Sequence, residues 1–291
     1  MKIGVLAAPS SWHFKDLQRS AKKLHEVISV SFDDLSTVLG AKESQFRGGA
    51  IDLRTLDRLI IRTMPRGSLQ QIIFRMNLLG RLADSGVKIV NAPRTIEIAV
   101  DKYLSLSMLA EAGIAVPPTM VAESLPAAMT SFEALGGDVV YKPLFGSMGT
   151  GIERLTDRGA AASFFQSQIE QGQVIYLQKF IDHGDWDIRI LIVGDRTFSI
   201  KRQREGHWLT NIAQGAIGSP HQATDQEIAL AKKSAEVTGC EIAGIDLFYD
   251  STTKPPMICD INAAPGWKAT ANVLDEDIAK AMIDYVAGAE D

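Results

Sequence analysis

Short apolar runs alternate with amphipathic stretches through the N-terminal third of the chain. Residues 3–7, 27–32, 59–61 and 87–91 are compact apolar runs, the pattern of strands. Between the last two, Leu69, Ile72, Ile73, Met76, Leu79 and Leu82 recur at the spacing of one helix face. That spacing predicts a helix over 68–83, with Ser68 as its N-cap and Gly86 as its stop. Strands alternating with helices imply a mostly parallel, doubly wound sheet. Gly48-Gly49 breaks the rhythm and predicts a turn between two small strands.

A second region begins near Asp101. The pattern predicts a helix over 102–112 ending at Gly113, before Pro117-Pro118 forces extended backbone. A helix (125–135), a strand (138–143), a glycine-rich loop (145–151), a helix (157–171) and a strand (174–179) follow. The third region is richer in strands. Residues 187–193 and 196–201 flank Gly194-Asp195, a hairpin signal. A helix over 225–238 carries Asp225 and Glu227 in its first turn, where the helix dipole favours them. Two buried strands (242–249 and 257–262) and a final helix (275–287) complete the pattern, without internal repeats.

Composition narrows the class. The 291 residues, 46% hydrophobic and 22% charged, are those of a globular protein with room for two domains or three small ones. A net charge of -5 argues against a broad nucleic-acid footprint, though not against a local pocket for a small anion. No apolar run approaches the roughly 20 residues that cross a bilayer, and residues 1–8 read as a first strand rather than a signal peptide. Cys240 and Cys259 lie far apart in apolar surroundings, which reads as buried, inert thiols in a reducing, cytoplasmic protein.

Two stretches carry chemistry. Asp246 interrupts the apolar run 244–248, and in 257–262 Asp260 and Asn262 alternate with apolar residues, so both project from one side of a strand. Oxygen ligands of this kind suit a hard cation such as Mg²⁺. The same pattern also describes hydrogen-bonded polar residues at strand ends, and the two readings stay open. In 142–151, Gly146, Gly149 and Gly151 let backbone N–H groups approach a triphosphate, with Lys142 just upstream. A plain hairpin connection is the alternative, since the stretch is neither the Walker pattern nor the dinucleotide fingerprint.

These stretches belong to an ordered set: Asp101-Lys102, Lys142-Pro-Leu-x-Gly-Ser-x-Gly-x-Gly-Ile, Gln178-Lys-Phe-Ile, Asp187-x-Arg189, Asn211, Gly-x-Asp246 and Asp260-x-Asn-x-x-Pro265-Gly266. The set resembles the ATP-grasp superfamily, and within it the RimK-like α-L-glutamate ligases, over nearly the whole chain. The resemblance implies an α/β fold: an N-terminal doubly wound domain (1–97) and two α+β subdomains (98–178 and 179–291) that clasp ATP. It implies that Lys102 and Lys142 contact the nucleotide phosphates, with the loop through Gly146, Ser147, Met148, Gly149 and Gly151 as a lid. Gln178, Lys179, Phe180 and Ile181 match the segment that reads adenine, and Asp187 the ribose contact. Asp246, Asp260 and Asn262 match ligands of Mg²⁺ (or Mn²⁺), and Arg189, Arg202 and Asn211 positions near the transferred phosphoryl group.

By the same resemblance the reaction is an ATP-dependent amide synthesis through an acyl phosphate, joining L-glutamate to a carboxylate-bearing acceptor. Relatives are commonly homo-oligomers. Neither a nucleic acid nor a membrane is expected as a partner. Arg62 and Arg66, near a strand end, are candidates for holding an anionic acceptor, with a surface-charge role as the alternative. That stretch, with His207-Trp208-Leu-Thr-Asn211, looks more like the ligases acting on small cofactors such as tetrahydromethanopterin than like RimK itself. Glutamylation of a protein C-terminus is the nearest alternative, and a nucleotide sensor without catalysis is one of another class. Two positions depart from the pattern: Asp260 where many relatives carry glutamate, and Leu209 where several carry arginine, with Arg204 as a substitute cation. The five histidines form no dyad and read mostly as surface or loop residues.

Overall fold

The computed structural model describes residues 1–22, 24–40, 44–146, 149–251 and 255–288. Chain order gives β1 (Lys2–Leu6), α1 (Trp12–Ala21), β2 (Glu26–Val30), β3 (Leu35–Val38), β4 (Gln45–Gly48) and β5 (Ile51–Asp52). Then come β6 (Arg58–Ile61), α2 (Leu69–Asp84), β7 (Lys88–Val90) and α3 (Pro93–Val100). β1, β2, β6 and β7 form one parallel sheet in the order β2-β1-β6-β7, as the alternation of strand and helix implies. Its pleat sorts the apolar residues onto two faces. Ile3, Val5, Ile60 and Val90 pack with Phe14 and Leu17 of α1, while Leu6, Leu59, Ile61 and Ile89 pack with Met76, Leu79 and Leu82 of α2. Ser68 caps α2 in a reciprocal capping box with Gln71. Gly49 takes a positive φ of 63° in the turn that joins β4 to β5.

The second region holds α4 (Lys102–Glu111), β8 (Thr119–Ala122), α5 (Leu125–Ala134), β9 (Val139–Tyr141), β10 (Glu153–Leu155), α6 (Arg158–Glu170) and β11 (Ile175–Lys179). Asp101 caps α4 by accepting from the Tyr103 and Leu104 amides. The antiparallel sheet β10-β9-β11-β8 has a core of its own, in which Phe132 and Phe165 of the two helices meet Val139, Ile175 and Leu177.

The third region is a five-stranded antiparallel sheet in the order β14-β13-β12-β15-β16. Its strands are β12 (Trp186–Val193), β13 (Arg196–Gln203), β14 (Ile217–Pro220), β15 (Ile242–Tyr249) and β16 (Pro256–Asn262), with α7 (Asp225–Thr238), α8 (Lys268–Leu274) and α9 (Ile278–Ala287). One face is apolar along its length: Ile188, Ile190, Ala243, Ile245 and Leu247 pack with Ala231 and Ala235 of α7. The other face changes character. At one end Leu191, Val193, Phe198 and Ile242 lie under Met282, Ile283 and Val286 of α9. At the other end the same alternation brings up Asp187, Arg189, Arg202 and Asp246.

Two expectations need correction, and several elements had none. The final helix starts at Ile278 rather than at 275, where the Asp277 side chain caps α9 by accepting from the Lys280 amide, and an unexpected helix, α8, precedes it and ends at Asp275 in a left-handed conformation (φ 53°). The eight-residue α3, opened by Pro93 with no side-chain cap, and the short strands β8 and β10 have too little periodic sequence to be read in advance. Cys259 is not in apolar surroundings, as described below. Among the described residues, no helix is long and apolar enough to cross a membrane.

Candidate nucleotide and metal site

A cleft runs between the second and third sheets. Register builds its polar floor. Asp187 on β12 faces Arg202 on β13, Arg189 faces Asp246 on β15, and Asp246 faces Asp260 on β16. Directly opposed side chains of opposite charge are held within bonding reach by the pleat. Arg202 donates to both Asp187 oxygens, Nε at 2.7 Å and Nη2 at 2.5 Å, and Thr210 donates to Asp187 at 2.7 Å. Asp246 receives Arg189 Nη1 at 2.5 Å on one oxygen and Arg202 Nη2 at 3.1 Å on the other. Gly244, two residues before Asp246, makes room for this. A Cβ there would lie 2.1 Å from Arg189 Nη2 and 2.4 Å from its Cζ, so the guanidinium crosses β15 where only glycine leaves space.

Charge follows from this packing. Burial opposes ionisation of Asp246, yet Arg189 and Arg202 outweigh it and hold the carboxyl below its ordinary range. Burial pushes the Asp260 carboxyl upward, against the pull of Lys102, and the adjacent Asp246 adds to the push. Burial also lowers the Lys102 ammonium, opposed by Asp260. A divalent cation between the two carboxylates would relieve their repulsion.

The residues fit such an ion as one delivered with a ligand. No group of three His, Cys, Asp or Glu side chains converges among the described residues, so a cage made by the protein alone is absent from them. Two carboxylates and an amide leave coordination positions for phosphate oxygens and water, the arrangement Mg²⁺ favours. Asn262 lies outside the cleft lining, and its Oδ1 accepts from the Ala264 amide at 2.9 Å, which leaves one lone pair of that oxygen.

The cleft walls carry the rest of the expected set. Lys102, the first residue of α4, donates to the Gly146 carbonyl at 3.0 Å and thereby ties the helix to the glycine loop. Lys142, Gly146 and Gly149 line the cleft, whereas Gly151 does not. Gly149 has a φ of 73°, and a Cβ there would lie 2.7 Å from Asn211 Oδ1, so the loop rests directly on the opposite wall. Ser147 and Met148 lie outside the described residues. Gln178, Lys179, Phe180 and Ile181 line the far end. The Gln178 side chain is held by Thr119 and Tyr176, each at 3.1 Å, and the Phe180 ring lies 5.9 Å from Trp208 and under the Arg154 guanidinium at 3.4 Å. Arg189 is not part of the lining and sits behind Asp246.

A family model described as the RimK-like ATP-grasp domain matches residues 99–286. The chain belongs to the RimK-like ATP-grasp family. It is therefore an ATP-dependent ligase that forms C–N bonds. It is similar to the tetrahydromethanopterin:alpha-L-glutamate ligase of Methanosarcina acetivorans, 26% identical over 98% of both chains. It is also similar to the enzyme of that name from Methanococcus maripaludis, 27% identical over 98% of this chain and 97% of the relative. Among solved structures, the ATP-grasp ligase PsnB with a phosphomimetic variant of its minimal precursor, Mg and ADP superposes with a TM-score of 0.74 at 15% identity, covering 98% of this chain and 97% of that one.

Within this ATP-grasp ligase, several cleft residues escape motif reading. His183 stacks on Phe248 with centroids 4.8 Å apart and bonds the Trp186 carbonyl through Nδ1, and both rings line the cleft. Cys259 also lines the cleft, because a bulge in the β15–β16 pairing after Asp246 brings it up beside Asp260. A lone histidine or cysteine in a strand-rich stretch gives no signal of this. Leu209 faces the cleft and Arg204 does not, so that wall position is apolar. Of the arginines near β6, Arg66 is exposed and Arg75 is buried against the Pro65 carbonyl and the Phe32 ring. Arg62 is buried, donates to the Ala264 carbonyl and lies over the Trp267 ring at 5.1 Å.

Proposed function

We propose that this ligase couples ATP cleavage to the addition of L-glutamate to a small anionic acceptor, a pterin-type cofactor of the tetrahydromethanopterin kind. The observation that carries the reading is the end-to-end likeness to two ligases of that name, beside a cleft floor whose paired carboxylates are surrounded by cations. In this reading an acceptor carboxylate oxygen attacks the γ-phosphorus of ATP, giving an acyl phosphate and ADP. The glutamate amine then attacks the acyl carbon, the C–N bond forms, phosphate leaves, and the nitrogen loses a proton to solvent. Mg²⁺, when bound, neutralises phosphate charge as it shifts between oxygens.

The chain's own groups do the positioning. Lys102 and Lys142 hold the phosphates, and the loop through Gly146, Gly149 and Gly151 closes over them against Asn211, excluding water from the acyl phosphate. The backbone of 178–181, with Phe180, His183 and Phe248, forms the base-binding end. Asp246 and Asp260, with the remaining lone pair of Asn262 from outside the cleft lining, would hold the metal. Arg202, fixed by Asp187 and Asp246 in the cleft lining, presents positive charge where the transferred group becomes more negative, and Arg189 holds Asp246 from behind and adds to that potential. Asp187, already bonded to Arg202 and Thr210, serves chiefly to orient Arg202.

Incubation with ATP, Mg²⁺ and L-glutamate beside either a reduced pterin carboxylate or a peptide ending in glutamate, followed by mass spectrometry, tests the reading. ADP release with the mass of one glutamyl residue added to the pterin is expected. A gain on the peptide alone would replace the cofactor with a protein tail. ATP turnover with no amide on either acceptor would overturn the glutamate reading.

A further inference from the structure

Two buried side-chain nitrogens have no hydrogen-bond partner among the described residues: His13 Nε2 and Arg62 Nε. Both side chains approach Gly266. A Cβ placed there would lie 3.6 Å from the idle His13 Nε2 and 4.0 Å from Arg62 Nη2, on the same guanidinium as the idle Nε, so the missing side chain leaves room beside both groups. Three elements converge there: the first turn of α1, the end of β6, and the loop that follows β16.

The walls are aromatic and cationic. His13 packs edge-on against Trp267, with centroids 4.5 Å apart, and against Trp12 at 5.2 Å. Arg62 lies over Trp267, and Lys268 lies 5.5 Å from the Trp12 centroid. The acid that acts on His13 is Asp16, and it is already committed, accepting from Trp267 Nε1 at 2.8 Å and from Arg19 at 2.8 Å. Arg62 is 7% exposed, and an unpaired donor of a buried guanidinium is costly. Burial, with Arg189 adding to it, lowers this guanidinium to about 10, and burial, with Arg62 adding to it, lowers His13 to about 4. An idle imidazole nitrogen, a buried guanidinium with an idle N–H and a missing Cβ together describe a receptor for a carboxylate, with His13 donating in its Nε2–H tautomer.

The spot is not the nucleotide cleft. None of His13, Arg62 and Gly266 lines that cleft, and Arg189 stands between, bonded to Asp246 on one side and acting on Arg62 from the other. A carboxylate held here is therefore not the one brought to the γ-phosphate. We propose that His13, Arg62 and the gap at Gly266 form a subsite for a non-reacting carboxylate of one of the two organic substrates. The proposal depends on the ligation reading only for naming which molecules bring that carboxylate.

Calorimetry on the full-length protein with Mg²⁺ and a non-hydrolysable ATP analogue tests it. One arm compares L-glutamate with its α-amide, and the other compares pteroylglutamate with its methyl ester. Gly266→Ala suits the test, because its methyl would make only ordinary contacts at 3.6 Å and 4.0 Å while filling the gap. Gly266→Ala and His13→Leu are each expected to weaken one acid roughly ten- to a hundred-fold, the range for a lost charge-assisted hydrogen bond, with nucleotide affinity held within about twofold. The amide or ester of that acid should bind wild type as weakly and ignore both substitutions. Loss in the first arm identifies the incoming amino acid, and loss in the second the acceptor. Less than about a threefold change for both acids, or no binding of either to wild type at millimolar concentration, would overturn the subsite. Amide synthesis failing with every acceptor while these losses persist would count against the ligation reading alone.

Discussion

Gly244→Ala isolates the placement of Arg189. The added Cβ would lie within 2.1–2.7 Å of three guanidinium atoms, so the side chain must leave β15 and release Asp246. The bond lost is the 2.5 Å contact between side chains only 11% and 6% exposed. A charge-assisted hydrogen bond in such a setting contributes about 1.5–3 kcal/mol. Replacing glycine within a strand returns about 0.5–1 kcal/mol. Asp246 keeps Arg202 at 3.1 Å, so the larger penalty for orphaning a buried charge does not apply. The net expectation is a loss of about 1–2 kcal/mol in urea unfolding and roughly tenfold in kcat for ADP release, because Arg189 lies outside the cleft lining and acts through Asp246. Arg189→Gln should give similar losses, and the double variant should be little worse than either single one. Unchanged unfolding with kcat within about threefold of wild type, or full additivity with Arg189→Gln, would refute this account of the cleft floor.

Three further outcomes follow from the same packing. Asp260→Asn removes a buried charge that the fold disfavours, so the variant should be at least as stable as wild type at pH 7 while needing roughly tenfold more Mg²⁺ for half-maximal ADP release; a destabilised variant with unchanged Mg²⁺ dependence would contradict this. Thr210→Val strips one donor from Asp187 at a position 4% exposed, which should cost about 1–2 kcal/mol in urea unfolding, and no measurable loss would discount the bond. His13 titrates at about 4 in the folded chain against 6.5 for the free side chain, so the folded state binds fewer protons between those values. Stability should therefore fall as pH drops from about 6.5 toward 4, and His13→Leu should flatten that part of the curve.

Much of this was legible in the chain, for reasons that differ by element. The strands around Asp246 and Asp260 stand out because a charged residue inside an apolar run is costly unless partnered, whereas Asp187 was marked only by the family resemblance. The partners themselves were not legible. That Asp246 meets Arg189 and Arg202, and that Gly244 clears the way, follows from register across β12, β13 and β15, which periodicity cannot supply. Cys259 was misjudged because a bulge breaks the alternation on which its apolar setting was inferred. The seven-residue α8 was not legible, since it is short and has no side-chain cap at Trp267. His13 gave no signal at all. Its neighbours Arg62 and Trp267 are distant in sequence and meet only once the parallel sheet and the loop after β16 are assembled.

The sheet face that turns from apolar to polar along β12 carries a lasting consequence for how this ligase can change. Leu191 and Val193 beneath α9 and Asp187 and Arg189 in the cleft floor share one strand and one parity. A one-residue slip of that strand would turn Asp187 and Arg189 into the apolar face beneath α7 and bring Ile188 and Ile190 up into the cleft floor in their place. The cleft floor therefore cannot drift out of alignment while the protein stays folded. Selection or engineering aimed at a new acceptor is left to act on the loops and on the niche beside α1, with the strand acting as a fixed ruler between them.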